Sequence, residues 1–189
     1  MHPLIEAAGR RGELPPWTRL TPERREHVER VAELLDEWGA ALDLPEAERI
    51  RWKAAGRLHD ALKDASVEEL RELVEDEADW PESLLHAPAA AARLAVDGVE
   101  DEELLLAVRY HSIGHPRFGM LGEHLYLADY LEPGRPDSEE RVRQRETMPN
   151  ARSEVLPLVI RRRIEAQLAS DQVLLLAAVD FWNRTVADG

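Results

Sequence analysis

Residues 21–38 read TPERREHVERVAELLDEW, and their spacing decides the fold class. Thr21 offers a capping hydroxyl and Pro22 a residue whose backbone is pre-set for the first helical position, so a helix is expected to start here. Apolar residues follow at Val28, Val31, Leu34, Leu35 and Trp38, three and four apart, which is the period of a helix that buries one face. His27 lies four residues before Val31 and eight before Leu35 and extends that face. An imidazole is therefore aimed at the interior.

The same period recurs outward along the chain. A second helix is expected from near Pro45 through Ile50, Ala54, Leu58 and Leu62, and Ser66 with Glu69 forms a capping box that opens a third. Further helices are expected from about 83 to 97, closed by Gly98, from Asp101 to His111, and from Met120 to Glu132, closed by Pro133. Between Pro133 and Pro149 the chain carries Gly134, Pro136 and the charge run EERVRQRE, which reads as loop or as a solvated helix. Two more helices are expected from Ala151 to Ala187, the second capped by Ser170 and carrying VLLLAAV before Phe181 and Trp182. No segment alternates like a strand. The expectation is an all-α, single-domain helical bundle with a central metal site: residues 1–20 an N-terminal extension, 21–136 the core, and 137–189 C-terminal helices completing the same domain.

Composition narrows the function. A length of 189 residues suits one sizeable hydrophobic core, and 44% hydrophobic with 33% charged residues is a globular balance. Net charge is -14, from 24 basic against 38 acidic residues, and such a surface repels a phosphate backbone, so nucleic acid is not an expected partner. With no cysteine, a metal must be held by histidine, carboxylate and water. The stretch MHPLIEAAGRRG lacks the apolar core of a signal peptide and no window matches a membrane span, so a cytoplasmic protein with no membrane partner is expected.

Several polar residues sit where helix faces turn inward. His59 and Asp60 are adjacent, about 100° apart on the second helix, and can reach one ion only if it lies close to the helix, an approach that Gly56 permits. His111 ends the stripe Leu104, Val108, and Asp129 ends the stripe Leu121, Leu125, while His86 opens HAPAAAARLA at a helix start. One inward histidine is usually a hydrogen-bonded core residue. The ordered set His27, His59, Asp60, His86, His111 and Asp129 is different, because burying that many polar groups without partners costs several kcal/mol each and a metal cluster satisfies them together.

The order H, HD, H, H, D resembles the HD-domain phosphohydrolase superfamily. EHVERVAELL, LHDALKD, LLHAPAAAA, AVRYHSIG and LYLADYLEPGR, spanning roughly residues 20 to 136, look like its YqeK-type symmetrical bis(5'-nucleosyl)-tetraphosphatase branch. The resemblance implies two divalent or trivalent ions, iron first with manganese or zinc as alternatives. It implies that His27, His59, Asp60 and Asp129 hold one ion and Asp60, His86 and His111 the other, with Asp60 bridging and His59 and Asp60 as the catalytic pair. It also implies symmetrical cleavage of diadenosine tetraphosphate to two ADP. Action on another nucleotide phosphate, or a nucleotide sensor without turnover, are the rival readings, and a homodimer is compatible with either.

Lys63 and Arg135 match positions of the branch and are expected to meet phosphate, unless they form surface ion pairs. The chain departs from the branch at His115, where relatives carry arginine, at Arg117-Phe118, and at Glu123, where a lysine is expected; these are read as changes in the pocket rim, with His115 and Arg117 still facing substrate. Tyr110, Tyr126 and Tyr130 read as core or as base-stacking groups. His2 and His124 are expected on the surface, with His124→Ala nearly silent. Asp64 and Glu132 are expected to accept from ligand histidines.

Overall fold

Thr21, Ser66 and Asp101 each begin a helix, and each side chain accepts the backbone N–H three residues on, at 3.3, 3.2 and 3.0 Å. These caps satisfy donors that a helix start leaves orphaned. The computed structural model describes residues 1–77, 79–135 and 138–187; Pro136 lies outside the described residues. Helix α1 (Pro3–Glu6) runs into a π-helical turn, Ala7–Arg11, and is followed by α2 (Pro22–Ala41), α3 (Glu46–Leu58) and α4 (Val67–Arg71). A 3₁₀ turn, Glu82–Leu84, leads into α5 (His86–Val96), α6 (Glu102–Tyr110), α7 (Met120–Leu131), α8 (Glu139–Thr147), α9 (Arg152–Ala169) and α10 (Leu176–Ala187). No strand occurs among the described residues.

Helix α2 lies along α3, α5 along α6, and α6 along α7, which also packs against α2 and α3. From Leu121 through Asp129 every residue of α7 is buried, and the helix packs against α2, α3, α6, α8 and α9. Residues of the segments at either end, Ile5 and Ala8 on one side and Val155, Leu156, Val159, Ile160 and Phe181 on the other, belong to the same apolar cluster as Leu35, Leu58 and Leu125. Among the described residues no helix is long and apolar enough to cross a membrane.

Three expectations are corrected. Helix α3 stops at Leu58, so His59 is its C-terminal cap and Asp60 lies in the turn that follows. The pair is therefore not carried on a continuous helix through Leu62. Gly56 serves chain packing: a Cβ there would sit 2.7 Å from Ala32 Cα, so its absence lets α2 and α3 approach backbone to backbone. Ser170 closes α9 and does not open α10, which begins at Leu176 after a turn in which Asp171 has φ 52°. The undecided stretch before Pro149 contains the helix α8, opened by Ser138, whose Oγ accepts from Arg141 N.

Candidate metal centre

Five elements deliver the six inward residues to one place. Helix α2 carries His27, the turn after α3 carries His59 and Asp60, the start of α5 His86, the end of α6 His111, and α7 Asp129, and all six are buried. Asp60 is central. Its Oδ2 lies 3.7 Å from His27 Nε2 and 3.6 Å from His59 Nε2, and its Oδ1 lies 3.1 Å from His86 Nε2 and 3.3 Å from His111 Nε2. Asp129 Oδ1 closes the first side, 3.2 Å from His27 Nε2 and 3.9 Å from His59 Nε2. Among the described residues two groups, His27 with His59 and Asp60, and Asp60 with His86 and His111, bring their donor atoms within 4.8 Å of one another.

The outer ring nitrogens explain why the inner ones converge. His59 Nδ1 lies 2.7 Å from the Gly56 carbonyl and His111 Nδ1 2.8 Å from that of Val108. A carbonyl only accepts, so each Nδ1 donates outward and each Nε2 is left facing the interior. His27 Nδ1 faces Glu132 Oε1 at 3.2 Å, whereas Asp64 accepts from the Thr21 backbone and touches no histidine.

Burial drives His59 down to about 3 and lowers His86, so both rings are neutral at physiological pH. For His27 burial pulls downward, but the carboxylates of Asp129 and Glu132 outweigh it and raise the pKa. Burial by itself raises the pKa of Asp60 and of Asp129. The neighbouring imidazoles, His59 foremost, hold Asp60 well below the ordinary carboxylate range, and Arg163 foremost does so for Asp129.

The donor set suits a cation. The buried Nε2 atoms of His27 and His59 have no hydrogen bond of acceptable geometry, although Asp129 Oδ1 stands near the first. A buried polar atom left unpaired is costly, and imidazole nitrogen with carboxylate oxygen is the ligand chemistry of iron, manganese and zinc. The residues present fit such an ion.

A cleft of about 240 Å³ opens onto His27 and is lined by Thr21, Glu23, Arg24, Asp64, Glu132 and Arg135. Arg135 donates to Asp129 Oδ1 at 2.8 Å and Arg24 to Asp60 Oδ2 at 3.0 Å. Lys63 Nζ lies 3.3 Å from His86 Nε2, with its pKa lowered by burial. Arg117 is elsewhere, in a groove with Ala91, Leu105 and Arg109. His115 stacks on Tyr110 at 4.4 Å, and burial and then Arg117 lower its pKa, so its ring is neutral at pH 7.

Other sequence expectations change here. Glu123 and Phe118 are interior residues and not a rim: Glu123 pairs with Arg152 and Arg184, and Phe118 meets Phe181 edge to face. His124 is not on the surface but 2% exposed, its ring 4.8 Å from that of Trp52. Tyr126 is wholly enclosed, and burial pushes its phenol to about 12, so it stacks on no ligand. Arg24 escaped the sequence reading although its position three residues before His27 puts it on the same face. Arg163, which donates to Asp129 Oδ2 at 2.8 Å, gave no local signal, being one of three consecutive arginines in α9.

The chain is 32% identical over 126 residues to a symmetrical bis(5'-nucleosyl)-tetraphosphatase of Halalkalibacterium halodurans, covering 61% of this chain and 64% of the relative. It is 30% identical over 124 residues to a protein of the same name from Staphylococcus aureus, covering 62% of each. The chain thus spans less than two thirds of the length of these curated relatives. It also superposes, with a TM-score of 0.77 and 24% identity over 90% of this chain and 92% of the other, on the crystal structure of a predicted HD superfamily hydrolase involved in NAD metabolism from Clostridium acetobutylicum. Residues 24–147 match the HD domain model, and the chain belongs to the HD domain family.

Proposed function

We propose that this chain is a metal-dependent phosphohydrolase that cuts diadenosine tetraphosphate symmetrically into two ADP. One observation carries the metal-dependent part: Asp60 turns each of its two oxygens toward a different pair of histidines. His27, His59, Asp60 and Asp129 would hold one ion and Asp60, His86 and His111 a second. Iron is the metal we assign, with manganese or zinc as alternatives, given a donor set of nitrogen and oxygen alone. The substrate rests on the name shared by the two relatives.

The chemistry supplied there is Lewis-acid activation of a phosphoryl group and of the attacking water. The chain's own groups do the rest. Asp60 stays ionised despite burial and is available to both sides, and His59, locked by the Gly56 carbonyl, keeps a lone pair directed inward. Arg24 and Arg135 stand in the cleft with guanidinium groups that match phosphate oxygens, and Lys63 adds a point charge beside His86. These cations, with the ions that the site would hold, would locally offset the repulsion that a chain of net charge -14 exerts on a polyanion.

The test is metal analysis of the purified protein together with product identification across dinucleoside polyphosphates and mononucleotides. ADP as the sole product from diadenosine tetraphosphate is expected. AMP with ATP refutes symmetrical cleavage, turnover of a mononucleotide alone refutes the substrate, and tight binding without turnover by the metal-loaded protein refutes the enzyme.

A further inference from the structure

We infer that Arg163, on α9 and beyond the segment that matches the HD domain, is a positioning residue for Asp129. The inference rests on the metal-site reading above. Asp129 divides its two oxygens: Oδ1 lies 3.2 Å from His27 Nε2 and takes Arg135 Nη2 from the cleft at 2.8 Å, and Oδ2 receives Arg163 Nη2 at 2.8 Å. A carboxylate gripped at one oxygen cannot rotate about its terminal bond without breaking that contact, so the grip sets the direction of the other oxygen.

The guanidinium is itself held. Its Nη1 donates to the Ser112 carbonyl at 3.0 Å, and its plane lies over the rings of Tyr126, at 4.4 Å, and Tyr130, at 5.5 Å. Ser112 follows His111, and its hydroxyl lies 3.0 Å from His111 Nε2. One side chain thus joins the end of α6, which carries His111, to α7, which carries Asp129. A lysine cannot span both contacts, because its ammonium is a single point where the guanidinium is a fork. Arg152 on the same helix pairs with Glu123 at the far end of α7 and touches neither ligand, which makes it a control for loosening of α9.

The experiment uses the full chain as Arg163→Gln, Arg163→Lys and Arg152→Met. Metal stoichiometry, metal affinity by chelator competition, thermal midpoint, and kcat and KM on diadenosine tetraphosphate are measured for each. Arg163→Gln is expected to weaken metal binding about 10- to 100-fold, the range seen when a partner of a ligand is lost, and to lower kcat with KM within about twofold. Arg152→Met is expected to lower the midpoint and leave metal affinity at the parental value. A folded Arg163→Gln with parental metal affinity overturns the inference, as does an equal loss of affinity in Arg152→Met. If Arg163→Gln does not fold, Arg163→Lys decides: affinity several-fold below the parent supports the inference and parental affinity overturns it. Failure of the parent protein to bind metal overturns the metal-site reading itself, whatever the variants do.

Discussion

Glu132 Oε1 lies 3.2 Å from Nδ1 of His27 while its Oε2 takes Arg30 Nε at 2.6 Å, so the carboxylate that orients the ring is anchored at both oxygens. Burial opposes the charge on Glu132, but His27, Arg30 and the Gly134 amide lower its pKa to about 2. Glu132→Gln removes the charge that orients the imidazole. Metal affinity should fall by about 10- to 100-fold, as is usual for the carboxylate behind a ligand histidine. Elemental analysis of the variant at parental metal content would sink this assignment.

Asp60→Ala tests the shared carboxylate. Losing a group that faces both histidine pairs should cost no less than losing an outer partner, so activity is expected to drop at least ~100-fold, with release of metal. Retention of both the metal content and kcat would remove Asp60 from the proposed centre.

His124→Ala is no longer expected to be silent. The ring fills space between Trp38 and Trp52, with Nδ1 2.7 Å from the Met120 carbonyl, and its removal leaves a cavity worth about 2–4 kcal/mol. Denaturant unfolding should show that loss with metal affinity unchanged; parental stability would mean that α7 closes over the gap.

His124 also gives stability a pH dependence. Burial among the two indoles lowers its pKa from 6.5, and the Met120 carbonyl only partly offsets this. The unfolded chain then binds a proton that the folded chain refuses, so the stability contributed by the neutral ring is intact above pH 6.5 and is lost as the pH falls below 6.5 toward the lowered folded value. His59 and His86 act in the same direction, so the comparison is between the parent and His124→Leu across pH 7.5 to 5, where the leucine variant should lose less stability. Parallel curves would rule out this contribution.

Gly56→Ala places a methyl against the Ala32 backbone, 2.7 Å from Cα. Backbone cannot yield as a side chain does, so the variant is expected to lose about 1–3 kcal/mol. A thermal midpoint equal to that of the parent would show that α2 and α3 separate freely.

The fold was legible wherever a stripe or a cap was local. Thr21, Ser66 and Asp101 each announced a helix start because a capping side chain acts over three residues. The end of α3 was hidden, since neither glycine nor proline separates Leu58 from Leu62 and the apolar spacing runs on through the turn. Helix α7 misled for a different reason. It is enclosed on every side, so Glu123 and His124 are interior despite their polarity, and a one-face reading sends them to solvent. The inward stripes of His27, His111 and Asp129 exposed three of the six candidate residues, and the rest came from their order. Arg163 could not be found that way, because its partners lie 34 residues or more away in sequence and ion pairing leaves no periodic trace.

The π-helical turn at Ala7–Arg11 meets the helix that leads to His59 through peptide oxygens. Arg57 Nη1 donates to the carbonyls of Ala8, at 2.7 Å, and Gly9, at 3.0 Å, while Glu29 neutralises its charge at 2.8 Å. A contact made to main-chain carbonyls is blind to the chemistry of the side chains that carry them. What selection can act on there is volume alone: a Cβ on Gly9 would fall 2.1 Å from the Ile50 carbonyl oxygen, and Ala8 is fully buried. Evolutionary drift in this stretch should therefore be wide in polarity at its exposed positions and narrow in size at residues 8 and 9, because those two positions keep the backbone within reach of Arg57.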